Sequence, residues 1–135
     1  MKKTLSLISE IHEKGNRFII DSLHNNGITG LVPSHGDILV ILYKYEKLTM
    51  KNIAEKIHRT KPTVTVLVNK LEEQGYVKRV KSDKDSRVTY IILTEKGKEF
   101  KPIFEKISDE LCEMLYKNLS ENEAETLDKI LEKMR

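Results

Sequence analysis

Apolar side chains recur at Val64, Leu67, Val68 and Leu71, a spacing of i, i+3, i+4 and i+7 that lines one face of an α-helix. The spacing predicts a short helix over 61–71. Thr60 stands where an N-cap would, and Pro62 lies in the first turn, where a missing N–H costs little. Gly75 follows the last apolar position and suits a left-handed residue just past the helix end. The pattern then turns strand-like. Residues 76–81 are a strand rich in Lys78, Arg79 and Lys81, residues 82–86 are a charged polar turn, and residues 87–93 are a β-branched, aromatic strand. A loop of about five residues between them suits a β-hairpin.

The rest of the chain reads as helices. Residues 5–24 place Leu5, Ile8, Ile11, Phe18, Ile19 and Leu23 inward, with Gly15 in the middle. A mid-helix glycine costs about 1 kcal/mol against alanine, so it marks a close approach or a bend. Asn25, Asn26 and Gly27 end this helix. Ser34 after Pro33 is expected to cap a second helix to Tyr45, with Ile38, Leu39, Ile41, Leu42 and Tyr45 apolar. Thr49 caps a third to Ile57, and Leu48 with Ile53 forms a hydrophobic staple across its start. His58 and Arg59 join it to the 61–71 helix, which makes a helix-turn-helix. Thr94 caps a long helix to about Lys117, with a stripe of Phe100, Ile103, Phe104, Ile107, Leu111, Met114 and Leu115. Pro102 predicts a kink in it. Ser120 and Glu123 form a capping box for a last helix, whose apolar face is Leu127, Ile130, Leu131 and Met134.

The expected fold is mostly α with a small β-hairpin wing, in one domain over 1–135. A winged helix-turn-helix unit spans 34–99, and a helical dimerisation region is built from 1–30 and 100–135. The first helix and the last two lie outside the reading unit and need an apolar partner. A second copy of the chain is the natural one, so a homodimer is expected.

Composition narrows the picture. With 135 residues, 39% of them hydrophobic, the chain can bury one modest core. It has no run of 18 apolar residues, so no membrane span is expected. Polar residues soon follow Lys2 and Lys3, which argues against a secretory signal. A single cysteine excludes an intramolecular disulfide framework, and a cytoplasmic protein fits. The net charge is +3, unevenly placed. Residues 59–101 hold eleven basic and six acidic residues, a local +5, whereas the remainder nets −2. That concentration is the footprint of a polyanion partner, although a basic strand is also often a solvated surface.

The polar face of the 61–71 helix carries Lys61, Thr63, Thr65, Val66, Asn69 and Lys70. These side chains are slim enough to enter a major groove. A plain exposed helix face would show the same residue types. No enzyme constellation is present: there is no Gly-rich phosphate loop, Cys-x-x-Cys, His-Glu-x-x-His or Gly-x-Ser-x-Gly, and no cofactor or metal is expected. Cys112 lies late in a helix among the acidic residues Asp109, Glu110 and Glu113, which disfavour a reactive thiolate, and core packing is its expected role, with redox sensing the alternative.

The run 67–77 (Leu-Val-Asn-Lys-Leu-Glu-Glu-Gln-Gly-Tyr-Val), then Asp83, Asp85, Ser86 and Arg87, then 93–97 (Leu-Thr-Glu-Lys-Gly) resembles the MarR family of winged-helix regulators over nearly the full length. The resemblance implies a homodimer joined by its terminal helices, which represses genes from an inverted-repeat operator in double-stranded DNA and is released by a small-molecule effector. It makes Arg87 a wing residue that enters the minor groove or grips the backbone, with Asp85 orienting it. By residue type Lys84 is a nonspecific phosphate contact or solvated charge, and Thr60, Lys61, Thr63, Thr65, Val66, Asn69 and Lys70 are the candidate reading surface. The family often has Arg where this chain has Val66, which can touch a thymine methyl but cannot chelate guanine. His35 falls where family effectors bind, although a residue opening a helix and bonded to water would look the same. No histidine lies in 94–117, so the zinc site of some relatives is absent. A winged helix that binds a protein partner is the alternative; clustered Lys and Arg at the wing favour DNA.

Overall fold

The computed structural model describes residues 3–135; Met1 and Lys2, where the expected helical region begins, lie outside them. The elements run α1 (Thr4–Asn25), α2 (Pro33–Tyr45), β1 (Lys47–Leu48), α3 (Met50–Ile57), α4 (Lys61–Glu73), β2 (Val77–Lys81), β3 (Thr89–Leu93), α5 (Glu95–Glu99), α6 (Lys101–Tyr116) and α7 (Glu121–Met134). No helix among the described residues is long and apolar enough to cross a membrane.

The core sits where α2, α3 and α4 meet the sheet. Ile38, Leu39 and Leu42 of α2, Ile53 of α3, Val64, Val68 and Leu71 of α4, and Ile91 of β3 are all essentially inaccessible. Alternation does the work in β3, where Ile91 faces the helices. Local chemistry sets the helix ends. Thr49 Oγ1 accepts from the Asn52 N–H at 3.1 Å while Asn52 Oδ1 accepts from the Thr49 N–H at 3.2 Å. Ser120 and Glu123 make the same reciprocal pair. Gly75 takes φ +84° just past α4, as its place after the apolar run predicts.

Several boundaries differ from expectation. The N-cap of α2 is Val32, not Ser34, because Pro33 takes the first helical position and His35 Nδ1 accepts the Val32 N–H at 2.8 Å. A third strand, β1, pairs antiparallel with β3 through Lys47 with Ile92 and Leu48 with Ile91, giving the sheet order β1-β3-β2. Two residues are too few for periodicity to announce. The second wing strand begins at Thr89 rather than Arg87, since the Val88 N–H bonds to the Asp85 carbonyl and the Ser82 N–H to the Val88 carbonyl. Arg87 therefore belongs to the turn. The long C-terminal helix breaks at Phe100, because Pro102 has no N–H to give the Lys98 carbonyl.

The terminal helices depart most. Leu5, Ile8 and Ile11 of α1 are exposed rather than inward, as are Leu127, Ile130, Leu131 and Met134 of α7. Tyr45 is also exposed. No element among the described residues covers these side chains. Further along α1, Gly15 is buried, and a Cβ there would stand 3.8 Å from Leu111 Cδ1, so α6 packs onto α1 through a side chain. Cys112 is exposed and not part of the core; it lies one residue past Leu111, off the apolar stripe of α6.

Candidate nucleic-acid interface

Helix α4 presents one dry and one wet face. Lys61, Thr63, Thr65, Val66 and Asn69 are exposed, and Val66 keeps 68% of its surface. Thr60 is committed to the helix end: its Oγ1 accepts from the Thr63 N–H and donates to Thr63 Oγ1 at 3.0 Å. Thr63 is thereby left with its own hydroxyl proton to donate outward. The Thr65 hydroxyl donates to the Lys61 carbonyl at 2.9 Å, which turns its methyl and lone pairs to the exterior.

Two of the expected reading residues are placed otherwise. Lys70 is half-buried, and its Cε lies 3.4 Å from where a Cβ would stand on Gly30, against the loop before α2. Asn69 is exposed, but its Oδ1 accepts from Arg79 Nη2 of β2 at 2.7 Å. Arg79 also stands 3.6 Å from Glu72, so one guanidinium ties the wing strand to two residues of α4. Nothing in the hydropathy pattern signals this bridge; only the β-register brings residue 79 beside residues 69 and 72.

The wing tip is ordered by its own short side chains. Ser82 Oγ accepts from the Lys84 and Asp85 N–H groups. Asp85 Oδ1 accepts from the Arg87 N–H and from Arg87 Nε, each at 3.0 Å, and Oδ2 accepts from Nη2 at 3.1 Å. These bonds from Arg87 hold the Asp85 carboxyl below the usual carboxylate range. The Arg87 side chain remains 88% exposed. Its fork is aimed by Asp85 yet stays open on the outer side, and Lys78, Lys81 and Lys84 of the hairpin are also exposed. Lys96 is not part of this surface, since its ammonium donates to the Gln74 carbonyl at 2.6 Å, at the C-terminus of α4.

The wing is anchored to the body at Thr94, whose hydroxyl donates to the Gly75 carbonyl and accepts from the Gly97 N–H. Comparison with known proteins places this arrangement. The MarR family model matches residues 31–89, from the start of α2 to the wing. The HTH-type transcriptional regulator SarZ of Staphylococcus haemolyticus is 32% identical over 90 residues, 67% of this chain. The S. aureus MepR–DNA complex is 29% identical, with a TM-score of 0.86, covering 97% of this chain and 95% of that one. A MarR transcriptional regulator from Methanosarcina mazei Go1 is 25% identical, with a TM-score of 0.83, over 99% and 94%. The chain belongs to the MarR family. It spans 60% of the length of the SarZ relative.

His35, the residue singled out for effector contact, is 5% exposed. Its Nδ1 accepts the Val32 N–H, and the ring lines a cavity of about 240 Å³ between α1, α2 and α6. The remaining histidines do not join it. His12 and His24 are exposed on α1, and His58 is the left-handed cap of α3 at φ +56°. Among the described residues no group of three His, Cys, Asp or Glu side chains could hold a metal ion.

Proposed function

We propose that this chain is a homodimeric, sequence-specific DNA-binding transcriptional repressor of the cytoplasm, released from an inverted-repeat operator by a small molecule. The observation that carries it is the pairing of an exposed, slim α4 face with a wing whose Arg87 fork is aimed by Asp85 but left open. Lys61, Thr63, Thr65 and Val66 face the major groove, with Thr60 holding the helix end. Lys84 and Arg87 meet the backbone or the minor groove, where a narrow groove concentrates negative potential. Lys70 and Asn69 support α4 more than they read bases. The solution of the MepR relative as a DNA complex supports the partner.

The reading unit is 34–99, and residues 1–30 with 100–135 form the dimer scaffold. The exposed apolar faces of α1 and α7 support this, since Leu5, Ile11, Ile130 and Met134 are large side chains that a second copy would cover. Two reading helices then meet successive major grooves about 34–36 Å apart.

Binding to the DNA upstream of the chain's own gene, measured with random duplex as competitor, tests the reading. Affinity that resists the competitor supports a specific regulator. Equal affinity for both duplexes would leave only an architectural binder, and no affinity for either would point to a protein partner. The salt dependence is a separate expected result. If Lys61, Lys81, Lys84 and Arg87 of each subunit reach phosphate, eight contacts give a log–log slope of about −7. A flat plot would remove the electrostatic part of the reading.

A further inference from the structure

Opposite the buried line of Val64, Leu67, Val68 and Leu71, the helical period places Pro62, Val66 and Asn69 at the middle of the outer face of α4. All three are exposed. Val66 keeps 68% of its surface, more than Val40, Tyr45 or Val80, the other exposed large apolar side chains of residues 34–99. The polar groups on either side of Val66 are engaged within the protein. The Thr65 hydroxyl donates its proton to the Lys61 carbonyl at 2.9 Å, and Asn69 Oδ1 accepts from Arg79 Nη2 at 2.7 Å. Pro62 brings a ring and no N–H. Glu73 shares the same line, but as the last residue of α4, about two turns beyond Val66. A reading helix meets base edges with its N-terminal residues, which leaves Glu73 outside the contact. The middle of this face is therefore apolar: the two methyl groups of Val66 and the Pro62 ring, with the Thr65 methyl beside them.

We propose that Val66 selects thymine in each half-site, by packing its methyl groups on the thymine C5-methyl. This rests on the proposed function above and names the base that its reading helix selects. In the major groove only thymine presents an apolar group; guanine shows N7 and O6, adenine N7 and an amino group, and cytosine an amino group. Val66 set against any of these three would strip water from a donor or acceptor and give nothing back. Set against thymine, it buries methyl on methyl. One methyl group removed from water is about a fourfold gain in affinity, or about fifteenfold over the two half-sites of a symmetric complex. Lys61 and Thr63, also exposed near the start of α4, keep donors for the positions that flank this thymine.

Duplexes selected by the intact chain from a random-sequence library supply the site for the test. Each thymine of that site is then replaced in turn, in both half-sites, by deoxyuridine, which keeps the pairing and O4 and lacks only the methyl. One such replacement is expected to weaken binding about fifteenfold, read by fluorescence anisotropy. With Val66→Ala the same replacement should change affinity by less than about twofold, while the other thymines respond as they do with the parent. Any effect of deoxyuridine on DNA shape meets both proteins alike and cancels in this comparison. Val66→Arg, able to chelate guanine O6 and N7, should move the selected base from thymine to guanine. Both variants should keep the parent's denaturation midpoint, since Val66 lies outside the core. Three results would each overturn the proposal and leave a sequence-specific regulator standing: a selected site with no thymine sensitive to deoxyuridine, a sensitive thymine whose response is the same with Val66→Ala, or a Val66→Arg protein that still selects that thymine. A library that yields no enriched sequence would overturn the proposal together with the function it rests on.

Discussion

Replacing Gly97 with alanine is expected to destabilise the fold by about 3 kcal/mol, a large part of the roughly 5–15 kcal/mol that holds a domain of this size together. Gly97 is buried in α5, directly over the junction between α4 and the wing. A Cβ there would fall on the Tyr76 carbonyl oxygen and stand 3.0 Å from Leu93 Cδ2. That carbonyl cannot retreat, because it accepts the Thr94 N–H at 3.1 Å. Gly97 is held from three sides. Its N–H bonds to Thr94 Oγ1, its carbonyl accepts the Tyr43 hydroxyl at 2.9 Å, and Tyr76 packs beneath it, tilted against Phe100. Burial pushes the Tyr43 phenol far above its ordinary pKa, so it stays a donor at any working pH. Urea denaturation reads the effect, and Gly27→Ala is the control. Gly27 has φ +74° with open space around it, so only backbone strain of about 1 kcal/mol is expected there. A Gly97→Ala variant within about 0.5 kcal/mol of the parent would show that the junction yields.

The same junction explains what the chain discloses and what it does not. Features set by residues close in sequence were legible: the buried face of α4, the Thr49 and Ser120 caps, the left-handed Gly75 and the Asp85–Arg87 turn. Each depends on spacings of two to seven residues. Features that depend on distant segments were not. Strand β1 exists because β3 offers it partners 43 to 45 residues away, Ile92 for Lys47 and Ile91 for Leu48. Val32 displaced Ser34 as the cap because His35 folded back on it.

The site is subject to the same limit. Exposure along α4 followed from the helical period, and Val66 and Thr63 fall where that period puts them. Period alone cannot say which exposed groups are already engaged. Asn69 looked free until β2 brought Arg79 to its amide, and Lys70 lay at the edge of the wet face until the Gly30 loop closed over it. The exposed apolar residues of α1 and α7, among them Leu5, Ile11, Ile130 and Met134, find no cover among the described residues, so their burial could not follow from one chain.

Arg87→Ala is expected to produce the largest loss of operator affinity of any single wing substitution. The Asp85–Arg87 pair is solvent-exposed, and such pairs contribute under about 1 kcal/mol to folding, so the variant should keep the parent's denaturation midpoint. Its role in binding differs, since the fork arrives already oriented by two hydrogen bonds to Asp85, and less rotamer freedom remains to be lost on contact. An Arg of this kind contributes about 1–3 kcal/mol per half-site, so a two-fold symmetric complex should weaken by at least thirtyfold, or about 2 kcal/mol. Arg87→Lys keeps the charge but not the planar fork, and should recover only part of the loss. Asp85→Ala separates aiming from charge. It removes an acidic group from a surface that meets phosphate, so affinity for random duplex should rise, while freeing the Arg87 fork should lower the ratio of operator to random affinity. Fluorescence anisotropy with both duplexes at two salt concentrations resolves the three variants. An Arg87→Ala protein that binds its operator within twofold of the parent would take the wing out of recognition and leave the α4 face to carry it alone.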